Sequence, residues 1–226
     1  MVIRWLGVLV WVVWAVVGVA QEVDPGEGYF QRGQFELAVQ EWEANRSSLS
    51  VGQLLGLATA YQQLGRLREA FEILAPLESD KNLKPVAQAQ LLMQLSEIYL
   101  GMIDLRNQKL LWINQVRKKF GERLFTRQTI TEKAESYLTE AEQLISTGTQ
   151  STFGVLLHAN ILNQKANLLM GKMAYSEALV TYEDSLAILK DNDNLLKAKT
   201  WTNLVQVYAE MLSRLRSGFD QMGKNI

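Results

Sequence analysis

The sequence predicts an all-α protein made of stacked helical hairpins, and three observations carry that prediction. Apolar residues recur at three- and four-residue intervals through most of the 226-residue chain, the spacing of one helix face. A set of packing residues returns at a fixed offset of 32, and such recurrence decides architecture before local structure is read. Only three prolines occur, too few for a loop-rich or disordered chain. The apolar share of 48% is enough for a core, and the length suggests one domain or two small ones.

The recurrence is seen by setting "YFQRGQFELAVQEW" (29–42) against "YQQLGRLREAFEIL" (61–74). Tyr29 meets Tyr61, Gly33 meets Gly65, Phe35 meets Leu67, Ala38 meets Ala70 and Trp42 meets Leu74. In "LMGKMAYSEALVTY" (169–182), Tyr175, Ala178 and Tyr182 take the places of Phe35, Ala38 and Trp42. Its glycine, Gly171, comes two residues early for the turn. Tyr99 and Tyr208 are placed like Tyr61 in "LLMQLSEIYLG" and "WTNLVQVYAEM". Each motif reads as a helix ending in a large residue, a glycine turn, and a second helix. The small Ala of that second helix lets the pair approach closely. The large residue four positions later fills the gap to the next pair. A single hairpin leaves its apolar face bare, so hairpins stack.

Taken in order, helices are expected at 25–32, 34–45, 52–64, 66–79, 85–103, 105–120, 127–146, 153–171, 174–190 and 195–216. Pro85 suits a helix start. The stretch 105–147 fits the motif least: "TITEKAESYLTEAEQLI" is helical in period, but there is no turn glycine and no clean Ala. "STGTQSTFG" (146–154) is a candidate break within the array, and "KDNDN" (190–194) reads as a turn. Residues 218–226 are expected to form a short tail.

The chain opens on "MVIRWLGVLVWVVWAVVGVAQEV". Arg4, the uncharged run 5–20 and the small residues Gly18 and Ala20 describe a secretory signal peptide cleaved after Ala20. Retention as a membrane anchor is the alternative, although the run is shorter than the ~20 residues of a full span. Export to a periplasm, a thylakoid lumen or the extracellular space follows. No Cys is present, which removes disulfides, Cys nucleophiles and Cys-ligated zinc.

The repeats resemble the tetratricopeptide repeat, whose pattern sets a small residue, an aromatic, an Ala and a further large residue in a helical hairpin. Two spacings are longer than that family's, with 38 residues from Tyr61 to Tyr99 and 39 from Leu169 to Tyr208. The usual closing Pro is absent. The stretches "ILNQKANLL", "YSEALVTYEDSLAIL" and "NLLKAKTWTNL" are further similar to repeats of exported cyanobacterial proteins. "QRGQFELAVQEWEA" behind the signal segment resembles how those proteins begin. Many of them carry a CHAT domain, a caspase-like protease fold with a His–Cys pair. Without Cys that pair is absent here, and only the repeat array carries over. The resemblance implies a tetratricopeptide (TPR)-like solenoid, a right-handed superhelix whose first helices line a concave groove.

Catalytic chemistry has little to stand on. His158 is the single histidine, on a helix and without ligand-type neighbours in sequence. No P-loop, nucleophile elbow or dinucleotide fingerprint occurs, so no enzyme and no cofactor are expected. With 23 basic and 24 acidic side chains, no basic field points to nucleic acid. Arg117, Lys118, Lys119, Arg123 and Arg127, with Phe120 and Phe125 interleaved, suit an acidic partner or an anionic membrane surface. They equally suit a solvated face whose aliphatic stems cover apolar surface.

The stripe Asn160, Asn163 and Asn167, spaced three and four apart, shares one helix face. In the tetratricopeptide register Asn163 and Asn167 face the groove, and Asn203 and Gln206 of the following first helix look the same way. Amides offer both donors and an acceptor to an extended peptide backbone, and similar asparagines hold peptides in clamp-type members of that family. The Lys and Arg set of those clamps is not found. The plainer reading is polar decoration of an exposed face. The expected function is a non-enzymatic scaffold holding a protein or peptide in its groove. The alternative is an assembly component that self-associates, or a docking partner for a separately encoded protease.

Overall fold

A computed structural model describes residues 24–105, 126–146, 151–189 and 194–223. The predicted signal segment, the helix at 105–120, most of the turn at 190–194, and Arg117, Lys118, Lys119 and Arg123 lie outside the described residues. Among those described, every predicted helix is present and no strand occurs. They are α1 (Pro25–Gln31), α2 (Phe35–Ala44), α3 (Val51–Gln63), α4 (Leu67–Leu77), α5 (Pro85–Leu105), α6 (Arg127–Ser146), α7 (Thr152–Gly171), α8 (Tyr175–Leu189) and α9 (Asn194–Gly223). One 3-10 turn covers Arg46–Ser48. α9 continues to Gly223, where a tail was expected from 218. No described helix is long and apolar enough to cross a membrane.

The chain divides into two compact units, Met1–Leu64 and Gly65–Ile226. The expected break near 146–154 lies inside the second.

The first unit is organised by Asp24. Its carboxylate caps α1 by accepting from Gly26 N at 3.0 Å, with Pro25 in the first turn where no N–H is needed. The other oxygen accepts from Trp42 Nε1 of α2 and Gln53 Nε2 of α3, both at 2.8 Å. Gln53 also closes a capping box with Ser50. One side chain thus ties three helices. Burial pushes its carboxyl up, but the bonds from Trp42, Gln53 and the helix-start amides outweigh it and hold the pKa below the ordinary value of 3.8. The Trp42 indole fills the centre at 1% exposure, with Phe30 tilted against it at 5.7 Å. Gly26 and Gly56 let the backbone close on that indole. A Cβ at Gly26 would stand 2.6 Å from its Cδ1, and one at Gly56 would stand 3.0 Å from its Cη2.

In the second unit α7 is the hub. It packs against α5, α6, α8 and α9 and is apolar around most of its circumference, as a helix with neighbours on every side must be. Lys165–Glu142 and Lys172–Glu135 pin it antiparallel to α6. α6 supplies the small residues the sequence reading missed, since Ala134 and Ala141 are fully buried. Phe71, Tyr99 and Tyr137 pack edge and tilted at 6.2 and 5.6 Å. Tyr137 donates to Glu78 at 2.6 Å.

The repeat's packing residues behave as its periodicity requires. Ala38, Ala70 and Ala178 are fully buried, as are Trp42, Leu74 and Tyr182 to within 1%. Tyr61 and Tyr99 are buried, whereas Tyr208 is 51% exposed because no later described helix covers it. The third turn corrects one expectation. Gly171 is the last helical residue, and the left-handed position belongs to Met173, with φ 63 against 71 at Gly33 and Gly65. Met173 N donates to Met170 O and Ala174 N to Leu169 O, the same pair of bonds that Gly33 and Gln34 make to Phe30 and Tyr29. This is one Schellman closure used twice. Left-handed φ strains a side chain, and Met173 is 59% exposed, so little packing offsets that strain. Met173→Gly is expected to raise stability by about 0.5–1 kcal/mol, read as a higher denaturation midpoint. A lower midpoint would mean the Met side chain packs more than its exposure indicates.

Candidate functional site

The middle of the asparagine stripe points at the core. Asn163 is fully buried, which corrects its placement in a groove. Its amide nitrogen donates to Ser185 Oγ of α8 at 3.2 Å and to Thr200 Oγ1 of α9. Its oxygen accepts from Asn203 Nδ2 at 3.3 Å. Both hydroxyls pass their own protons to backbone carbonyls, Ser185 to Ala159 O and Thr200 to Leu196 O, each at 2.8 Å. Both amide hydrogens and the amide oxygen of Asn163 are therefore satisfied, and the side chain fastens α7 to α8 and α9. The physical reason is plain: α8 and α9 cover the middle of this face, so Asn163 lies under them.

The stripe's ends differ. Asn160 is half-buried, and its Oδ1 is enclosed without a hydrogen-bond partner. Asn167 is exposed. Its oxygen accepts from the Tyr182 hydroxyl and from Asn203 Nδ2 at 3.3 Å. Burial pushes the Tyr182 hydroxyl up to about 12, so it stays a donor at neutral pH. With its oxygen engaged, Asn167 keeps its Nδ2 donors for solvent. Asn203 is half-buried as the bridge, and Gln206 is exposed. Of the five expected groove residues, Asn163 and Asn203 serve the core while Asn167 and Gln206 remain accessible.

A second polar cluster extends from α7 to α5. Gln164 donates to Glu97. Burial pushes the Glu97 carboxyl up, opposed by Lys199 of α9 and by the Gln164 amide. Among the described residues no group of three or more His, Asp and Glu is placed to hold a metal ion, and His158 is half-buried on α7.

In the second unit a cleft of about 650 Å³ opens between α5, α6 and α7. Leu100, Ile103 and Leu168 give it an apolar wall, Arg127, Gln128, Thr131 and Glu132 a polar one, with Glu132 held by Gln128 at 2.8 Å, and Asn167, Gly171 and Lys172 the third side. Lys172 and Glu135 pair at 2.6 Å along its edge. Arg127, the one described member of the basic cluster, is an exposed cation on this wall. Sequence reading had Asn167 and Arg127 on two unrelated features, and the packing of α6 on α7 brings them to one cleft. The signal that could have joined them is the antiparallel spacing of Lys165 and Lys172 against Glu142 and Glu135, seven residues apart on each helix.

No family model matches the chain, and no curated protein shows significant similarity to it.

Proposed function

We propose that the chain is a non-enzymatic, TPR-like interaction scaffold, exported on the strength of residues 1–20, whose α5–α6–α7 cleft receives a protein or peptide segment. The observation that carries this reading is the composition of the cleft wall. An apolar floor, the free amide hydrogens of Asn167 and the cation of Arg127 stand together in one opening. That set suits a segment offering apolar side chains, backbone carbonyls and an acidic group. The TPR-like reading is supported by the recurrent Ala and large-residue packing and by the turn geometry shared by Gly33 and Met173. Asp24, Glu78 and Glu97 are engaged in holding helices together, which favours a scaffold over a catalyst.

Gly171 provides a clean test. It lines the cleft, has helical φ, and a Cβ there would meet nothing within 4 Å. Gly171→Phe is therefore expected to block the cleft while leaving thermal stability within about 0.5 kcal/mol of the parent. Peptides selected by the parent protein from a display library should lose at least about tenfold in affinity for the variant. Equal binding by the variant, or no selection by the parent, would exclude the cleft as the site.

A further inference from the structure

α9 carries two adjacent apolar stripes, and among the described residues only one of them is packed against another helix. The inner stripe, Leu204, Val207 and Met211, packs against Ala178, Tyr182 and Leu179 of α8. The outer stripe, Trp201, Val205, Tyr208, Leu212 and Leu215, is between 51% and 66% exposed. Its spacings are four, three, four and three, and the sequence continues them with Phe219 and Met222. That is a heptad pattern over three repeats, the mark of a helix that pairs with another helix along a seam. The run from 201 to 222 measures roughly 33 Å.

We propose that two copies of this chain pair through this stripe of α9. Three observations choose a second copy as the occupant. The first is self-sufficiency. At half to two-thirds exposure these five side chains offer on the order of 500 Å² per copy, so stripe against stripe covers on the order of 1,000 Å², where specific interfaces begin. The second is charge. The positions flanking the stripe are Thr202, Leu204, Ala209 and Met211, with Arg216 the lone charge. A foreign partner helix is normally selected by charged flanks, and neutral flanks leave self-pairing unopposed. The third is length. α9 runs on to Gly223 after its inner stripe ends at Met211, and a helical extension of that size is marginal in water without something to pack on. A two-fold pairing supplies that packing to both copies at once.

Sedimentation of the purified protein tests this. The parent is expected at dimer mass at about 100 µM. Val205→Glu combined with Leu212→Glu should sediment as a monomer with unchanged far-UV circular dichroism, because both side chains are exposed. Leu215→Lys, which lies past the inner stripe and spares the fold, should weaken the dimer about 30-fold or more, the size of an interface hot spot. A parent that is monomeric at that concentration overturns the proposal. So does a dimer that survives these substitutions, and so does a monomer that floats with anionic vesicles, which would make the stripe a membrane-facing surface instead.

Discussion

Asn163→Asp is expected to lower the stability of the second unit by about 3 kcal/mol or more, read as a fall of about 10 °C in thermal midpoint. The substitution keeps the shape and reverses the chemistry. Asn163 faces the hydroxyl oxygens of Ser185 and Thr200 with two N–H donors, and both hydroxyls have already given their protons to Ala159 O and Leu196 O. A carboxylate would set oxygen lone pairs against oxygen lone pairs at a site with no exposure, and a buried charge without a partner is costly. The sign of the pH response follows. The new carboxyl would have a raised pKa, so the deficit should be full near neutrality and shrink as pH falls towards about 4 and the group takes up a proton. Asn163→Leu should cost less than Asn163→Asp, because it removes the bonds without burying charge. An aspartate variant as stable as the parent would show that the three-helix junction is not held by this side chain.

Gly26→Ala is expected to unravel the first unit selectively. The added Cβ has no space, since it would stand 2.6 Å from Cδ1 and 2.7 Å from Cε2 of the Trp42 ring. Moving the indole breaks its bond to Asp24, which also holds Gln53 of α3. Overpacking of this kind costs about 1–3 kcal/mol, and Trp42→Ala, which leaves a large void, about 3–5 kcal/mol. The described part of this unit spans residues 24–64, and so small a body has little stability in reserve. Hydrogen exchange should show α1, α2 and α3 losing protection while α7 keeps its own. Trp42→Phe should partly rescue Gly26→Ala, because the smaller ring makes room, so the pair should be less than additive. Strict additivity, or equal loss of protection in both units, would remove Trp42 as the centre of the first unit.

The helices and their packing residues were legible in the sequence because both follow from local spacing. Ala38, Ala70 and Ala178 recur where two helices must close, and Trp42, Leu74 and Tyr182 recur where a gap must be filled. The direction of the asparagine stripe was not legible from α7 alone. Spacings of three and four show that Asn160, Asn163 and Asn167 share a face, and nothing in them shows what covers it. The missing sign lay in other helices. Ser185 follows Tyr182 by three and Thr200 precedes Leu204 by four, so each hydroxyl occupies a slot in an otherwise buried stripe. Such a residue asks for a buried partner.

Residue type misled at two further places. Gly171 attracted the turn assignment because glycine tolerates left-handed φ, yet alignment had already set Met173 opposite Gly33, and backbone hydrogen bonding places the strained residue there. Tyr208 has the spacing of Tyr61 but no described helix beyond it, so it belongs to the outer stripe of α9 rather than to a core. The role of Asp24 went unread because a single Asp before Pro signals only a helix start. Its bonds to Trp42 and Gln53 arise from residues 18 and 29 positions away.

The position of α7 has a consequence for how order is lost. In a linear array each hairpin touches only the hairpins before and after it, and melting can run from either end one step at a time. α7 concentrates such neighbour contacts on one helix, meeting the preceding α5 and α6, its own partner α8 and the following α9, with Gln164 reaching Glu97 and Asn163 reaching Thr200. Removing either flank strips polar partners from the same helix. The second unit is therefore wired as a single cooperative block, in which the loosening of one face is felt at the opposite one.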